Sequence, residues 1–150
     1  MNNQSFNKAR KIMLESQIRP NKVIDEMVLS AFANIPREIF VHKSMQDIAY
    51  IDEDLPLSNG RYLMEPMVLA RLIQSLQLSA SDNVMIIGIG TGYSVAIISQ
   101  IVTSVIGIES RATLIQKAEN NLTELDITNA VLFKERLQDG FSKEAPYNAI

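Results

Sequence analysis

The sequence contains no cysteine, no tryptophan and a single histidine, His42. A chain without cysteine forms no disulfide and offers no thiolate to a metal, and one imidazole makes no histidine-rich ligand set. We therefore expect no metal site and place His42 in a surface turn. No apolar run is long enough to cross a bilayer, and residues 1–20 lack the apolar core of a secretory signal, so the cytoplasm is the default location and no membrane partner is expected.

The chain also has no excess of positive charge: it contains 14 Lys and Arg and 17 Asp and Glu, which gives a formal net charge of -3. The one modest basic run, Lys8 to Lys11, is assigned to the solvated face of a helix, and no nucleic-acid partner is expected. With 47% hydrophobic residues, the chain is typical of a single globular domain, residues 1–150. Within it we expect a helical and substrate-loop region at 1–78 and an incomplete cofactor-binding region at 79–150.

The most informative segment joins an apolar run, a glycine-rich turn and a helix. Val84–Ile87 predicts a buried strand, three closely spaced glycines follow it, and Tyr93 to Ile101 predicts a helix. The dinucleotide fingerprint Gly-x-Gly-x-x-Gly is excluded because residue 93 is tyrosine. The tighter Gly-x-Gly-x-Gly spacing resembles the glycine loop of S-adenosylmethionine-dependent methyltransferases. The predicted cofactor contacts in this turn are Gly88, Gly90, Thr91, Gly92 and Tyr93.

Glu109 gives this interpretation a second support. It ends a second predicted strand, Val102–Ile108, and follows Gly90 by 19 residues, where a carboxylate accepts hydrogen bonds from two ribose hydroxyls. The alternatives are a tight turn that binds no ligand and a solvated or helix-capping carboxylate. We favour the ligand, because each glycine costs roughly 0.5–1 kcal/mol relative to alanine and packing alone rarely selects three of them.

The N-terminal half is expected to be mainly helical. Phe6 to Ile18 predicts one helix with Ala9, Ile12 and Met13 at helical spacing, and Asp25 is the predicted N-cap of another that ends at Pro36. The segment 43–62 is interpreted as a mostly irregular, acidic, solvated turn, since the residue order of a calcium loop is missing. Pro66 starts a third helix. The apolar faces are predicted to be Val28, Leu29 and Phe32 in the second helix, and Val68, Leu72 and Leu76 in the third.

After Glu109 the alternation of helix and strand continues. We predict a helix at 111–125, a strand at 130–133 and a further strand beginning near Tyr147, which together favour a parallel sheet with right-handed crossovers. Since the chain stops at Ile150, inside that last expected strand, we expect a fragment or a truncated protein.

Five short segments resemble the protein-L-isoaspartate O-methyltransferase family. The most specific is the block from Pro36 to Val41, Pro-Arg-Glu-Ile-Phe-Val. The resemblance implies an S-adenosylmethionine-dependent methyltransferase with a Rossmann-like α/β fold, a mostly parallel sheet, a helical N-terminal extension and missing C-terminal strands. It also implies a protein-repair enzyme that esterifies the carboxylate of L-isoaspartyl residues in damaged proteins. The other segments are Gln17–Pro20, Ala49–Tyr50, Leu55–Leu57 and Glu65–Pro66.

The chain departs from the family in its substrate loop. The family's loop resembles Gly-Gln-Thr-Ile-Ser-x-Pro, whereas residues 60–66 read Gly-Arg-Tyr-Leu-Met-Glu-Pro. Met64 thus replaces the catalytic hydroxyl, and a thioether cannot donate a hydrogen bond to a carboxylate. Arg61 or Tyr62 could supply the donor, although Arg61 fits a surface arginine equally well. Arg61, Tyr62 and Met64 are the candidate catalytic positions.

Two further departures concern the cofactor. Ile86 stands where many methyltransferases carry an acidic residue, which favours weaker cofactor binding. Glu135, in the run 134–137 that replaces the family's Gly-Asp-Gly, is a candidate partner of the adenine amino group or a member of a solvated charge cluster.

Three functions therefore stay open at the level of sequence. They are an isoaspartyl methyltransferase, a methyltransferase for another acceptor, and a non-catalytic remnant or partner-binding protein. The last is suggested by the early stop together with Met64 and Ile86, and a homodimer that covers an open sheet edge is one form it could take.

Overall fold

The computed structural model describes residues 2–58 and 60–150. Contacts along the chain divide it into two compact units, Met1–Gln77 and Leu78–Ile150. The boundary expected between the regions 1–78 and 79–150 falls beside this division. That the two regions form a single domain stays a prediction, and each unit is described by itself below.

The first unit begins with two helices. Helix α1, Asn3–Met13, starts at Asn2, whose side chain accepts a hydrogen bond from the Ser5 amide, and passes into a π-helical turn at Leu14–Ile18. Helix α2, Glu26–Asn34, is capped by Asp25, whose Oδ1 accepts from the main-chain nitrogens of the second and third helical residues at 2.9 and 3.2 Å. The predicted cap and the buried face of α2 are confirmed.

The segment between α2 and the third helix is more ordered than expected. Two 3-10 helices, Arg37–Phe40 and Lys43–Ile48, are followed by a short antiparallel hairpin, β1 Leu55–Pro56 with β2 Tyr62–Leu63. The segment 43–62, predicted to be mostly irregular, thus contains one 3-10 helix and the hairpin strands, with turns and bends between them. His42 lies in an exposed turn, as predicted, and caps the second 3-10 helix by accepting from the Ser44 amide.

Helix α3, Pro66–Ser75, has the predicted proline as its first residue. Its buried residues, however, are Pro66, Leu69, Ala70 and Ile73. The predicted core stripe is wrong, because Leu72 is 50% and Leu76 is 40% exposed. Apolar residues lie almost all round α3, and both stripes have helical spacing, so the period alone does not select the buried face.

The second unit is a parallel sheet with helical crossovers. Its elements are β3 Asn83–Ile87, α4 Tyr93–Ser99, β4 Ser104–Glu109, α5 Ala112–Glu124 and β5 Ala130–Lys134. The strand order is β3-β4-β5, and each of these five elements lies within two residues of its predicted ends. In the part of the chain that is described, no helix is both long and apolar enough to span a membrane.

One face of this sheet carries a small apolar cluster that includes the chain after β5. Met85, Ile106 and Ile108 pack with Phe141, and the ring of Phe133 stacks on that of Phe141 with centroids 4.1 Å apart. The segment that follows Phe141 is thereby held against the sheet. The chain after β5 also contains two short 3-10 helices, Leu137–Asp139 and Ser142–Glu144.

The strand predicted near Tyr147 is reduced to one parallel bridge, between Val84 and Ala149. The Met85 amide donates to the Ala149 carbonyl at 3.1 Å, and the Asn148 amide donates to the Asn83 carbonyl at 2.8 Å. The direction of this pairing is as expected, whereas its extent is not. The bridge lies beside β3, on the side away from β4.

Candidate functional site

The predicted cofactor residues lie at the carboxyl ends of β3, β4 and β5. The turn after β3 is fastened to the neighbouring strand, because the Gly88 and Ile89 amides both donate to the Ile108 carbonyl, at 2.8 and 3.3 Å. All three glycines have positive φ: +76° at Gly88, +56° at Gly90 and +93° at Gly92. A side chain would be strained at each of them, so the backbone path of the turn requires glycine.

Between Gly88 and Gly92, only Gly92 is also required by close packing. A Cβ on Gly92 would lie 3.1 Å from the Cβ of Ala118 in α5, whereas a Cβ on Gly88 would meet Leu137 Cδ1 at an ordinary 3.7 Å. Gly92 therefore permits α4 and α5 to approach each other, and its presence needs no ligand. The alternative of a tight turn thus accounts for part of the glycine pattern.

Thr91 and Tyr93 are both buried within the second unit. The Thr91 carbonyl accepts from the Asn121 side-chain amide of α5 at 3.0 Å, which secures the middle of the turn. Asn121 was not among the residues predicted from the sequence. It lies three residues after Ala118 on the buried face of α5, so a polar residue within an apolar stripe was the available signal.

Glu109 ends β4 and is completely buried. Its Oε1 accepts from the Ser110 and Arg111 amides at 2.8 and 3.2 Å, and its Oε2 accepts from the Gly90 amide at 3.3 Å. The carboxylate is therefore not solvated. It links the glycine turn to the residues that precede α5, which agrees with the helix-capping alternative and leaves the ribose role to be tested.

These groups fit a nucleoside cofactor in kind. A carboxylate accepts up to four hydrogen bonds, and the contact of Glu109 with the Gly90 amide, at 3.3 Å, is longer than its contacts with the Ser110 and Arg111 amides. A ribose diol would share or displace that contact, and its approach requires Oε2 to become accessible. Both the turn and the carboxylate lie where parallel sheets bind their ligands, at the carboxyl ends of the strands.

Glu135 joins the same edge of the sheet. Its amide donates to the main-chain carbonyl of Glu109 at 3.2 Å, directly after β5, and its side chain is half-buried. Next to it, Arg136 forms an exposed ion pair with Asp139 at 3.6 Å. The structure brings Glu135 beside Glu109, and both interpretations of its side chain stay predictions.

The candidate catalytic positions lie in the first unit, in and after the β1–β2 hairpin. Tyr62 is 63% and Met64 is 39% exposed, whereas Leu63 between them is buried and pairs with Leu55. Alternation along an extended chain gives residues 62 and 64 the same exposed side. Arg61 is half-buried, and its carbonyl closes the turn by accepting from the Leu57 amide at 2.8 Å.

The main chain after β2 is held by charged side chains that sequence reasoning did not assign to it. The Met64 carbonyl accepts from Arg37 Nη2 at 2.9 Å, and the Glu65 amide donates to Asp54 Oδ1 at 2.8 Å. Asp52 Oδ1 accepts from the amide of Met67, the second residue of α3, at 3.2 Å. Asp54 is exposed and Asp52 is half-buried, so these aspartates of the predicted acidic turn also bind main-chain amides. The available signal was two carboxylates shortly before a helix whose own N-cap residue offers no side-chain cap.

The family-like block at Pro36 to Val41 contributes to a buried polar network. Arg37 is completely buried, and its Nε donates to the Ala49 carbonyl at 2.7 Å. The Tyr50 hydroxyl donates to the Glu38 carboxylate and accepts from Arg10 Nε at 3.0 Å. Burial, followed by the hydrogen bond to Glu38, raises the pKa of Tyr50 well above its usual value. Arg10 is thus wrongly assigned to the solvated face of α1.

Comparison with known proteins identifies the family. The model of the family "Protein-L-isoaspartate(D-aspartate) O-methyltransferase" matches residues 8–150. The chain belongs to the protein-L-isoaspartate O-methyltransferase family. Protein-L-isoaspartate O-methyltransferase 2 of Pelobacter propionicus is 35% identical over 150 residues, which are 100% of this chain and 66% of that protein. The first relatives found are thus matched over slightly less than two thirds of their length.

Solved structures agree with this assignment of the fold. A protein-L-isoaspartate O-methyltransferase that is 26% identical superposes with a TM-score of 0.81 over 92% of this chain and 45% of its own. A Plasmodium falciparum structure named for the same activity, solved with S-adenosyl-L-homocysteine, gives 0.70 at 22% identity, over 90% of this chain and 66% of its own. The predicted α/β methyltransferase fold of the family is confirmed.

Proposed function

We propose that the protein methylates the carboxylate of L-isoaspartyl residues in damaged proteins, with S-adenosylmethionine as the methyl donor, in the cytoplasm. The observation that carries the proposal is the bond from the Gly90 amide to the buried Glu109 carboxylate. This bond joins the glycine turn to the acidic residue at the end of the next strand, and both lie at the carboxyl ends of adjacent parallel strands. The chain belongs to a family of methyltransferases.

The second unit supplies the residues that would hold the cofactor. Main-chain groups of the turn from Gly88 to Gly92 would border it, Glu109 would accept from the ribose hydroxyls, and Glu135 from the adenine amino group. The related Plasmodium falciparum structure with S-adenosyl-L-homocysteine supports this choice of ligand. The bound donor would supply an activated methyl group on a sulfonium.

The acceptor chemistry makes modest demands on the protein. A carboxylate is ionised at neutral pH, so its methylation depends chiefly on in-line placement and on the exclusion of water rather than on a strong base. We assign placement to the loop after β2. Arg61 would pair with the carboxylate, and the exposed hydroxyl of Tyr62 would donate to it, in place of the hydroxyl that Met64 lacks.

A second candidate is methyl transfer to a different acceptor. The specific observation in its favour is the exposed apolar side chain of Met64, beside Tyr62, at the position of the family's hydroxyl. Such a surface suits an acceptor whose contacts are apolar better than one recognised through a carboxylate alone. The two candidates differ in whether an isoaspartyl peptide competes for the labelled methyl group.

Transfer of a radiolabelled methyl group to an isoaspartyl peptide, with the matched aspartyl peptide as control, tests the proposal. Titration calorimetry with S-adenosylhomocysteine measures the cofactor site separately. Labelling of the isoaspartyl peptide alone, reduced by Arg61→Ala or Tyr62→Phe, is the expected result. Binding of S-adenosylhomocysteine without labelling of either peptide would reject the acceptor and retain the cofactor, and labelling of cell extract would then favour the second candidate.

A further inference from the structure

The peptide group that joins Met64 to Glu65 is bound on both of its polar sides. Its carbonyl accepts from the guanidinium of Arg37 at 2.9 Å, and its N–H donates to the carboxylate of Asp54 at 2.8 Å. Both are charge-assisted hydrogen bonds, which are stronger than those between neutral groups. Two oppositely charged side chains therefore grip one planar unit of the backbone from opposite sides.

Arg37 is held by a second hydrogen bond, and the exposed Asp54 is placed by the hairpin that follows it. Arg37 is completely buried, and its Nε donates to the Ala49 carbonyl at 2.7 Å, so the direction of its guanidinium is set. Asp54 directly precedes β1, whose first residue, Leu55, pairs with Leu63 in β2. The carboxylate therefore belongs to the same hairpin that ends next to residue 64.

Residue 64 is consequently constrained on both sides of its Cα. On one side lies Leu63, which is buried in the hairpin, and on the other lies the gripped peptide plane. A fixed peptide plane restricts ψ of residue 64, and the strand pairing restricts the chain before it. The side chain of residue 64, 39% exposed, thus leaves the backbone in one direction.

We propose that Arg37 and Asp54 are positioning residues, which orient residue 64 and its neighbours in the loop toward the methyl acceptor. They act through the backbone and do not touch the acceptor themselves. That the loop faces a methyl acceptor rests on the proposed function. The two hydrogen bonds to the peptide group are a property of the first unit alone. Two kinds of measurement therefore separate the grip from its consequence.

Asp54→Ala is the test, and Asp52→Ala is the matched control. Both remove one carboxylate from the same segment, but Asp52 binds the Met67 amide inside α3 and not the peptide at residue 64. Hydrogen exchange followed by ¹⁵N NMR should show the Glu65 amide exchanging about tenfold faster or more in Asp54→Ala, and unchanged in Asp52→Ala. Asp54→Asn, which keeps an acceptor oxygen, should restore most of the protection.

The kinetic readout concerns the acceptor. We expect Asp54→Ala to lower kcat/KM for an isoaspartyl peptide about tenfold or more, while the Kd for S-adenosylhomocysteine stays within about twofold of the unmodified protein. Asp54→Asn should recover activity, and Arg37→Lys should lose it, because an ammonium cannot reproduce the planar fork that serves both carbonyls. A loss of fold alone would weaken cofactor binding and would show as a lowered melting temperature.

Three results would overturn the proposal. An unchanged Glu65 amide in Asp54→Ala would show that the peptide group is not gripped. Equal kinetic effects of Asp54→Ala and Asp52→Ala would show that the grip does not position the loop. If the unmodified protein binds S-adenosylhomocysteine but labels no isoaspartyl peptide, the proposed function fails, and the positioning role falls with it even where the Glu65 amide confirms the grip.

Discussion

The Gly90 amide and the Glu109 carboxylate lie 3.3 Å apart, although 19 residues separate them in the chain. The bond connects the turn after β3 with the end of β4, and it lies entirely within the second unit. Because Glu109 also accepts from the Ser110 and Arg111 amides, one buried carboxylate satisfies main-chain donors from two elements. Its removal should affect both stability and ligand binding.

We expect Glu109→Ala to lower the free energy of unfolding by about 1–3 kcal/mol, because buried main-chain donors lose their acceptor. The same variant should weaken binding of S-adenosylhomocysteine at least about tenfold, since the proposed ribose partner is removed. Urea unfolding and titration calorimetry measure the two effects. Glu119→Ala, an exposed substitution in α5, is the control and should change neither. Weaker stability with undiminished binding would limit Glu109 to a structural role.

Substitution by alanine should destabilise the protein less at Gly88 than at Gly92. Gly88→Ala should cost about 1–2 kcal/mol through its positive φ alone. Gly92→Ala should cost about 1–3 kcal/mol more, because its Cβ also meets Ala118 at 3.1 Å. Chemical unfolding of both variants measures the difference. Equal destabilisation would show that α5 shifts away from the turn without resistance.

Elements signalled by neighbouring residues were predictable from the sequence. Asp25 caps α2 and Pro66 begins α3 because a cap and a first-turn proline act within one turn of the helix. The glycine turn and Glu109 were also found, since the strand–turn–helix unit and the following strand have a recurrent spacing. The buried face of α3 was not, because Leu69 and Leu72 are equally apolar and only tertiary packing distinguishes them.

Polar contacts between distant residues were not predictable. Arg10 lies 40 residues from Tyr50, and Arg37 lies 27 from Met64, so no local pattern links the members of either pair. Charged residues are mostly exposed to solvent, and they are buried chiefly where a hydrogen-bond or ion-pair partner lies nearby in the fold. The position of the candidate catalytic loop thus depends on contacts that a single sequence does not display.

The buried network around Tyr50 should make stability depend on pH in the alkaline range. Since folding raises the pKa of Tyr50 above its ordinary value of 10.0, the folded state binds the phenolic proton more tightly than the unfolded state. The resulting stability is fully present below pH 10 and is lost as the pH rises further, by at most about 1.4 kcal/mol per pH unit. Tyr50→Phe should remove this component of the slope.

Tyr50→Phe should also destabilise the protein at neutral pH by about 1–3 kcal/mol, because the buried Glu38 carboxylate loses a donor and Arg10 loses an acceptor. Urea unfolding at pH 7.5 and at pH 10.5 measures both effects on the same pair of proteins. A parallel decline of the two proteins above pH 10 would mean that Tyr50 titrates alike in the folded and unfolded states. Contributions to the pH dependence that do not come from Tyr50 are common to both proteins and cancel in the difference.

Met64 offers the sharpest test of what the loop acts on. Met64→Ser introduces a hydroxyl on the exposed side of the chain, next to Tyr62, where a resemblance to the family places one. If the acceptor is an isoaspartyl carboxylate, a new charge-assisted hydrogen bond of about 1.5–3 kcal/mol should raise kcat/KM about tenfold or more. Met64→Leu keeps the apolar volume and should leave the rate within about twofold. Methyl transfer to isoaspartyl and aspartyl peptides measures both variants. A fall in activity with Met64→Ser, together with retention in Met64→Leu, would indicate that the loop recognises its acceptor through apolar contact, and would favour an acceptor other than an isoaspartyl residue.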